Sequence, residues 1–279
     1  GNGDNLRSIL TWNPATSNES KIEWNTKIES DSRFLFTLEP SYFAIKSHQW
    51  IIEKEASILI DSTIVDVKGL KLMNGYQYIV ANGRVSKNDE DKLNFELNEV
   101  NLNHIAEMLG LNVNVVGKLN GWGYITNPYE NMTYMGDLNV KGLAIDNEEV
   151  GDVYLMSQWD KNKNMIDLSG DLIYRNMPTF QFKGNYDIKK EEDNLDFDLV
   201  FDNTNISFLN AFMDPKVVDD IRGYINGTLD VTGSIKKPII EGKVNLDKAG
   251  AKIAMFGTSF SFTGPVIADE YGFYINNIP

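Results

Sequence analysis

The chain has 279 residues, of which 42% are hydrophobic, so a substantial apolar face can form and general disorder is excluded. Its formal net charge of −14 disfavours nucleic acid as a partner, because a phosphate backbone is bound by clustered Lys and Arg. There are no cysteines, which excludes a disulfide framework and thiolate catalysis. The sequence shows no signal peptide and no apolar run long enough for a transmembrane helix. Both ends look like cuts through a longer protein, so we expect a fragment.

The first 33 residues are left unassigned as a domain. "LRSIL" (6–10) predicts a short helix, and "NPATSNESK" (13–21) has the composition of a loop.

From residue 34 onward the dominant pattern is strict alternation of apolar and polar residues. This period of two indicates half-buried β-strands, joined by short polar links such as "KNDED" and "KKEEDN". The fold class is therefore all-β, an antiparallel sheet. The clearest strands are predicted at 58–72, 93–97, 134–140, 166–172, 179–188, 195–201 and 225–231.

Two segments have helical rather than alternating spacing. Residues 102–111 carry Ile105, Met108 and Leu109, and residues 206–214 carry Phe208, Leu209 and Phe212. We expect two short helices that cap the sheet and bury its edge. The alternative is that Phe208, Leu209 and Phe212 form a plug or a partner-binding helix.

The sequence also repeats itself. A unit of roughly 100 residues occurs at about 58–145 and again at 153–255, so that Gly83 corresponds to Gly184 and Asn120 to Asn226. Such a repeat predicts an elongated architecture, and we treat residues 34–279 as one continuous β-groove.

Glycine recurs on the apolar side of these strands, although it has no side chain to pack there. In "TFQFKGNYDI" (179–188), for example, Gly184 shares a face with Phe180 and Phe182. This predicts a concave, folded-over, taco-like sheet with an apolar groove; the alternative is ordinary bulges in a filled sandwich. The predicted groove-lining residues are Gly121, Gly136, Gly170, Gly184, Gly227, Gly242, Phe180, Phe182, Leu168, Leu229 and Val244.

An enzyme is not predicted, and neither is a cofactor or a metal. The two histidines do not suggest a site, because His48 is expected at a strand end or turn and His104 on a helix surface. The acidic run 146–152 lacks the ligand spacing of a known Ca²⁺ loop. Aspartates that could form a catalytic pair fall on the polar side of their strands, where solvent is the better interpretation; they are Asp167, Asp171, Asp196 and Asp198.

Four stretches of the chain carry a resemblance to a known family. They are "EPSYFAIKSHQWII" (39–52), "MIDLSGDLIY" (165–174), "NLDFDLVFDNTNISFLNAF" (194–212) and "IRGYINGTLDVTGSIKKPIIEGKVNL" (221–246). This succession of strands resembles the TamB family, the translocation and assembly module proteins, which are grouped with AsmA-like and other repeating-β-groove proteins. The Asn-rich loops are closest to the Bacteroidetes members.

The resemblance implies a periplasmic, non-enzymatic segment of a cell-envelope protein that bridges the inner and outer membranes. The whole protein would have an inner-membrane anchor, which is absent here. Its partners would be an outer-membrane barrel protein, TamA or a related assembly factor, and phospholipid. Its role would be in outer-membrane protein export and assembly and in phospholipid transport along the groove.

An apolar trough also makes physical sense for lipid, because burying an acyl chain gains about 0.8 kcal/mol per CH₂. Two alternatives from other classes stay open. One is a structural or adhesin-type β module with a filled core and no ligand, and the other is a closed barrel for one small apolar ligand.

Overall fold

The computed structural model describes residues 5–13, 16, 18–45, 48–110, 114–146, 148–161 and 163–275, with the backbone alone at 108, 211, 212 and 256. Within these ranges the chain is all-β, and its 19 strands belong to one antiparallel sheet. The prediction of an all-β antiparallel sheet is therefore confirmed, and the folded-over, taco-like groove stays a prediction. The chain divides into two compact units, the first made of residues 1–112 and 118–138 and the second of 113–117 and 139–279.

The first unit is built on long strands that change partners. Its elements are β1 (Asn5–Trp12), β2 (Ser20–Ser30), β3 (Arg33–Leu38), β4 (Ser41–Ile45), β5 (His48–Ile52), β6 (Ala56–Asp61), β7 (Ile64–Asn74), β8 (Gln77–Val85), β9 (Lys92–Asn101), α1 (Leu102–Met108) and most of β10 (Val115–Thr126). β2 pairs with β4 and then with β3, and β7 pairs with β6 and then with β5, while β6 to β10 follow one another in chain order.

The second unit is a simple meander. The division between the units falls within β11 (Thr133–Ile145). The remaining elements are β12 (Glu148–Asp160), β13 (Met165–Tyr174), β14 (Met177–Tyr186), β15 (Leu195–Asn205), a 3₁₀ helix (Ser207–Phe212), β16 (Val218–Ser234), β17 (Lys237–Ile253), a 3₁₀ turn (Ala254–Phe256), β18 (Thr258–Asp269) and β19 (Gly272–Ile275). Each strand from β12 to β19 pairs with the next.

Two local predictions need correction. The "LRSIL" stretch is not a helix but the centre of β1, which pairs with β2 from Asn5 to Trp12. The second predicted helix is a 3₁₀ helix rather than an α-helix. The Asn210 side chain fixes this segment to β16, because it donates to the Ile221 carbonyl and accepts the Ile221 N–H at 2.8 and 2.7 Å.

Among the positive-φ residues that interrupt strands, five are held by the same kind of hydrogen bond. Each of these residues donates its backbone N–H to a side-chain oxygen of the following strand. The N–H therefore stays hydrogen-bonded although the backbone ladder is broken there. The donor and acceptor residues are Gly69 and Asn82, Glu99 and Asn120, Gly142 and Asp152, Asn203 and Asn226, and Lys248 and Thr263, at 2.7 to 3.3 Å.

The sequence repeat is visible in these contacts. Asn120 and Asn226, which correspond in the two copies, accept the same kind of bond from Glu99 and Asn203. The order of elements also agrees, since β8, β9, α1, β10 and β11 in one copy match β14, β15, the 3₁₀ helix, β16 and β17 in the other.

One cluster of buried apolar residues lies in the second unit. It consists of Ile145, Val150 and Leu172, and Phe180 and Phe208 are among the half-buried residues that pack against it. Further buried apolar residues of this unit include Val244, Val266 and Ala268.

Candidate functional site

The predicted groove-lining residues of the second unit lie together on one face of β13–β17. Strand register places nine of the eleven in three neighbouring cross-strand rows. The rows are Gly170, Phe182, Leu199, Leu229 and Gly242; Leu168, Gly184, Phe197, Val231 and Ile240; and Leu172, Phe180, Phe201, Gly227 and Val244. We call this surface the apolar row face.

The register explains why glycine occurs on this face. Gly184 lies between Leu168 and Phe197 on the neighbouring strands, and Gly227 lies between Phe201 and Val244. Each glycine thus alternates with large apolar residues across the sheet. Alternation along each strand predicts that the glycines lie on the apolar side. It does not identify Phe197, Leu199 and Phe201 as groove-lining residues, because their membership of the rows depends on the register between strands.

Phenylalanine rings occupy the space above two of the glycines. A Cβ added at Gly170 would lie 2.5 Å from Cε1 of Phe182, and one added at Gly184 would lie 2.5 Å from Cδ1 of Phe197. At these two positions glycine makes room for a neighbouring ring, which is an aromatic covering of a strand glycine. The space left by the missing Cβ at these two positions is therefore filled by neighbouring side chains.

Four phenylalanines form a continuous aromatic strip within the row face. The ring centroids of Phe180 and Phe201 are 4.9 Å apart, those of Phe180 and Phe182 are 6.0 Å apart, and those of Phe182 and Phe197 are 6.4 Å apart. These separations are typical of favourable aromatic pairs. The strip is apolar, tightly connected and free of charged side chains.

The row face is only partly shielded from solvent. Phe180, Phe182, Leu168 and Leu229 are half-buried, whereas Val244 is 5% exposed. In a filled sandwich the inward-facing residues of both sheets are buried against each other. The half-buried residues of the row face are therefore partly accessible to solvent.

The other two predicted lining residues lie in the first unit and differ from each other. At Gly121, which has a φ of +152°, a Cβ would collide with the backbone of Asp137 and Leu138. At Gly136 a Cβ would have no neighbour within 4 Å. Gly121 is thus required for close strand approach, and Gly136 borders open space.

The 3₁₀ helix contributes one apolar side chain to the core. Phe208 packs against the cluster of Ile145, Val150 and Leu172, while Leu209 is 38% exposed. The side chain of Phe212 lies outside the described residues. A plug or partner role for this helix stays a prediction.

The opposite face of the sheet is polar. Asp196 and Asp198 are exposed there, and Lys183 lies across from Asp198 in the register, which confirms their placement on a solvated face. In the described ranges, no three His, Cys, Asp or Glu side chains are grouped so that they could hold a metal ion. Among the same residues, no helix has both the length and the apolar character needed to cross a bilayer.

The two histidines behave differently from each other. His48 begins β5, as expected, but His104 is only 4% exposed, so its prediction as a helix-surface residue is wrong. Its ring stacks on that of His48 with centroids 3.5 Å apart. Burial, and after it the neighbouring His48, hold the pKa of His104 below its usual value of 6.5.

Comparison with models of protein families, with curated proteins and with solved structures finds no match for this chain.

Proposed function

We propose that this chain is a non-enzymatic, periplasmic segment of a TamB-like protein that binds the acyl chains of phospholipids on an apolar β-groove. In the full-length protein this segment supports lipid transport and outer-membrane protein assembly between an inner-membrane anchor and an outer-membrane barrel partner. The proposal combines the resemblance of the four sequence stretches with the chemistry of the apolar row face.

The observation that carries the proposal is the half-exposed state of that face. Phe180, Phe182 and Leu229 lie in adjacent rows without being buried, so a contiguous apolar surface stays accessible. Contiguous exposed apolar surface is uncommon on proteins that bind nothing there. A phospholipid would place its acyl chain on the rows and leave its head group in water, and each methylene buried would gain about 0.8 kcal/mol.

A lipid-binding measurement on paired variants tests the proposal. Leu199 and Val200 are neighbours on β15, but Leu199 lies in the row of Phe182 and Leu229, whereas Val200 is 42% exposed on the opposite face. Delipidated protein is incubated with phosphatidylethanolamine–phosphatidylglycerol vesicles, recovered, and analysed for bound lipid by native mass spectrometry. Leu199→Asn should lower the bound lipid severalfold, and Val200→Asn should leave it unchanged.

A filled structural module is the second candidate function. The observation that favours it is that the rings of Phe182 and Phe197 cover Gly170 and Gly184. Part of the face is therefore already packed against side chains of the same face. If this candidate is correct, the delipidated wild-type protein binds no phospholipid and no apolar dye.

A further inference from the structure

We propose that His48 and His104 form a pH-sensitive latch, which holds α1 over β5 while the rings are neutral and releases it when both rings carry a proton. The latch lies in the first unit and does not depend on the proposed lipid function. These are the two histidines of the chain, and the fold brings them into direct contact although they are 56 positions apart.

The contact is a stack of two imidazole rings. Their centroids are 3.5 Å apart with an interplanar angle of 26°, and His104 meets Trp50 edge-on at 6.4 Å. Neutral rings pack well in this geometry. Two imidazolium rings at the same distance repel each other, and His104 is too deeply buried for water to screen that repulsion.

Among the residues that the structure describes, one carboxylate, that of Glu107, is placed to compensate. Glu107 Oε2 lies 3.8 Å from His48 Nε2, and its other oxygen accepts a bond from the Asn103 amide at 3.2 Å. Lys118 of β10 adds a further positive charge that disfavours protonation of His104. The charged groups that act on His104 are therefore His48, Glu107 and Lys118, and two of these three oppose a second proton.

The packing around the stack is also incompletely hydrogen-bonded. Trp50 Nε1, His104 Nδ1 and Glu107 Oε2 are buried without a hydrogen-bond partner among the described residues. Unpaired buried polar atoms weaken the association of α1 with β5. A modest electrostatic change can therefore shift the balance between the closed and released positions of α1.

Release of α1 would separate His104 from His48 and Trp50, the two β5 residues whose rings it contacts. His48, Trp50 and Ile52 alternate onto the same side of this strand, and Trp50 and Ile52 are 3% and 5% exposed. Because the pKa of His104 is lowered in the folded chain, the stability that depends on it is complete above pH 6.5. It falls as the pH drops below that value, because the unfolded state then holds more protons than the folded state.

NMR on the intact chain tests the latch. With ¹³Cε1-labelled histidine there are two imidazole signals, and with 5-fluorotryptophan there are five ¹⁹F signals, of which Trp50 is assigned through Trp50→Phe. We expect His104 to titrate with a midpoint below 6.5, and the Trp50 signal to move toward its solvent-exposed position with the same midpoint.

Two variants should shift that midpoint in opposite directions. His48→Gln removes a like charge and should raise the midpoint of His104, whereas Glu107→Gln removes the favourable charge and should lower it. Gln49→Ala, on the exposed side of the same strand, is the control and should shift nothing. A His104 midpoint at or above 6.5, a Trp50 signal that ignores pH, or equal shifts in both variants would overturn the proposal. The wild-type titration decides the question even if a variant fails to fold.

Discussion

Single residues in this sheet show that glycine serves more than one purpose. At Gly170 and Gly184 the missing Cβ makes room for a phenylalanine ring from the next strand, at Gly121 it permits close approach of the backbone, and at Gly136 nothing approaches. The same residue type therefore has different costs of substitution along one face.

Gly184→Ala should destabilise the protein, and Gly136→Ala should not. The added Cβ at Gly184 meets the carbonyl of Asp196 and the ring of Phe197, and overpacking of this kind costs about 1–3 kcal/mol. At Gly136 the space is open, so alanine should be neutral or stabilise by up to about 1 kcal/mol. Urea unfolding of the two variants measures the difference, and equal free energies of unfolding would contradict the packing described for Gly184.

Asn226→Ala should lower the free energy of unfolding by about 1 kcal/mol. Its side chain accepts the N–H of Asn203, a residue held at a φ of +49°, at 2.7 Å. Asn245→Ala is the control, because Asn245 lies directly opposite Asn226 on β17 and is exposed. Thermal or urea unfolding should separate the two, and a control as unstable as Asn226→Ala would argue against the repeated hydrogen bond.

The alternation of apolar and polar residues along a strand was enough to place glycines and aromatics on one face, because side chains alternate with a period of two. It could not show that Phe182 covers Gly170, since this depends on the register between β13 and β14. The burial of His104 was missed for a related reason. Helical spacing predicts an apolar face of α1, but it does not show which strand packs against the helix. In the fold, His48 and Trp50, on one side of β5, are the residues that meet His104.

Whole elements depend on pairing more than on local propensity. β1 illustrates this, because its sequence suggests a helix but its ladder with β2 makes it a strand with Leu6, Ile9 and Leu10 more than half exposed. Arg7 binds Glu23 of β2, and Lys21 lies 2.9 Å from the same carboxylate. Lys21 and Arg7 hold the pKa of Glu23 below its usual value of 4.5.

Acid should therefore loosen β1. A carboxylate with a lowered pKa in the folded state stabilises the fold above pH 4.5, and that stabilisation is lost as the pH falls below this value. Hydrogen-exchange protection factors of the β1 amides should decrease over this range. Glu23→Gln should already show reduced protection at pH 7 and little further change in acid. Unchanged β1 protection in Glu23→Gln would mean that the ion pairs do not hold this strand.

Strands with clean alternation were predictable as elements, whereas the 3₁₀ helix was predictable only as a helical segment. Phe208, Leu209 and Phe212 fit α-helical spacing, but hydrogen bonds from Asn210 to β16 tighten the segment. These bonds join Asn210 to Ile221, which lies 11 positions further along the chain. Periodicity within a window of ten residues cannot reveal them.

At the scale of the molecule, the two-copy sequence and the alternation predicted an all-β chain, and the strand order within each copy repeats. The function depends on what covers the apolar row face in the working protein. Phospholipid acyl chains fit the apolar chemistry of the rows. The competing explanation is a face whose own side chains pack against one another and bind no ligand.

Site-specific photocrosslinking tests this central claim most directly. p-Benzoylphenylalanine is introduced at Leu199 or at Val200, which lie on opposite faces of β15, and the delipidated proteins are irradiated with phospholipid vesicles. We predict a lipid adduct by mass spectrometry at position 199 and none at 200. Adducts of equal yield at both positions, or an adduct at 200 alone, would contradict the account, and no adduct at either would favour the filled module.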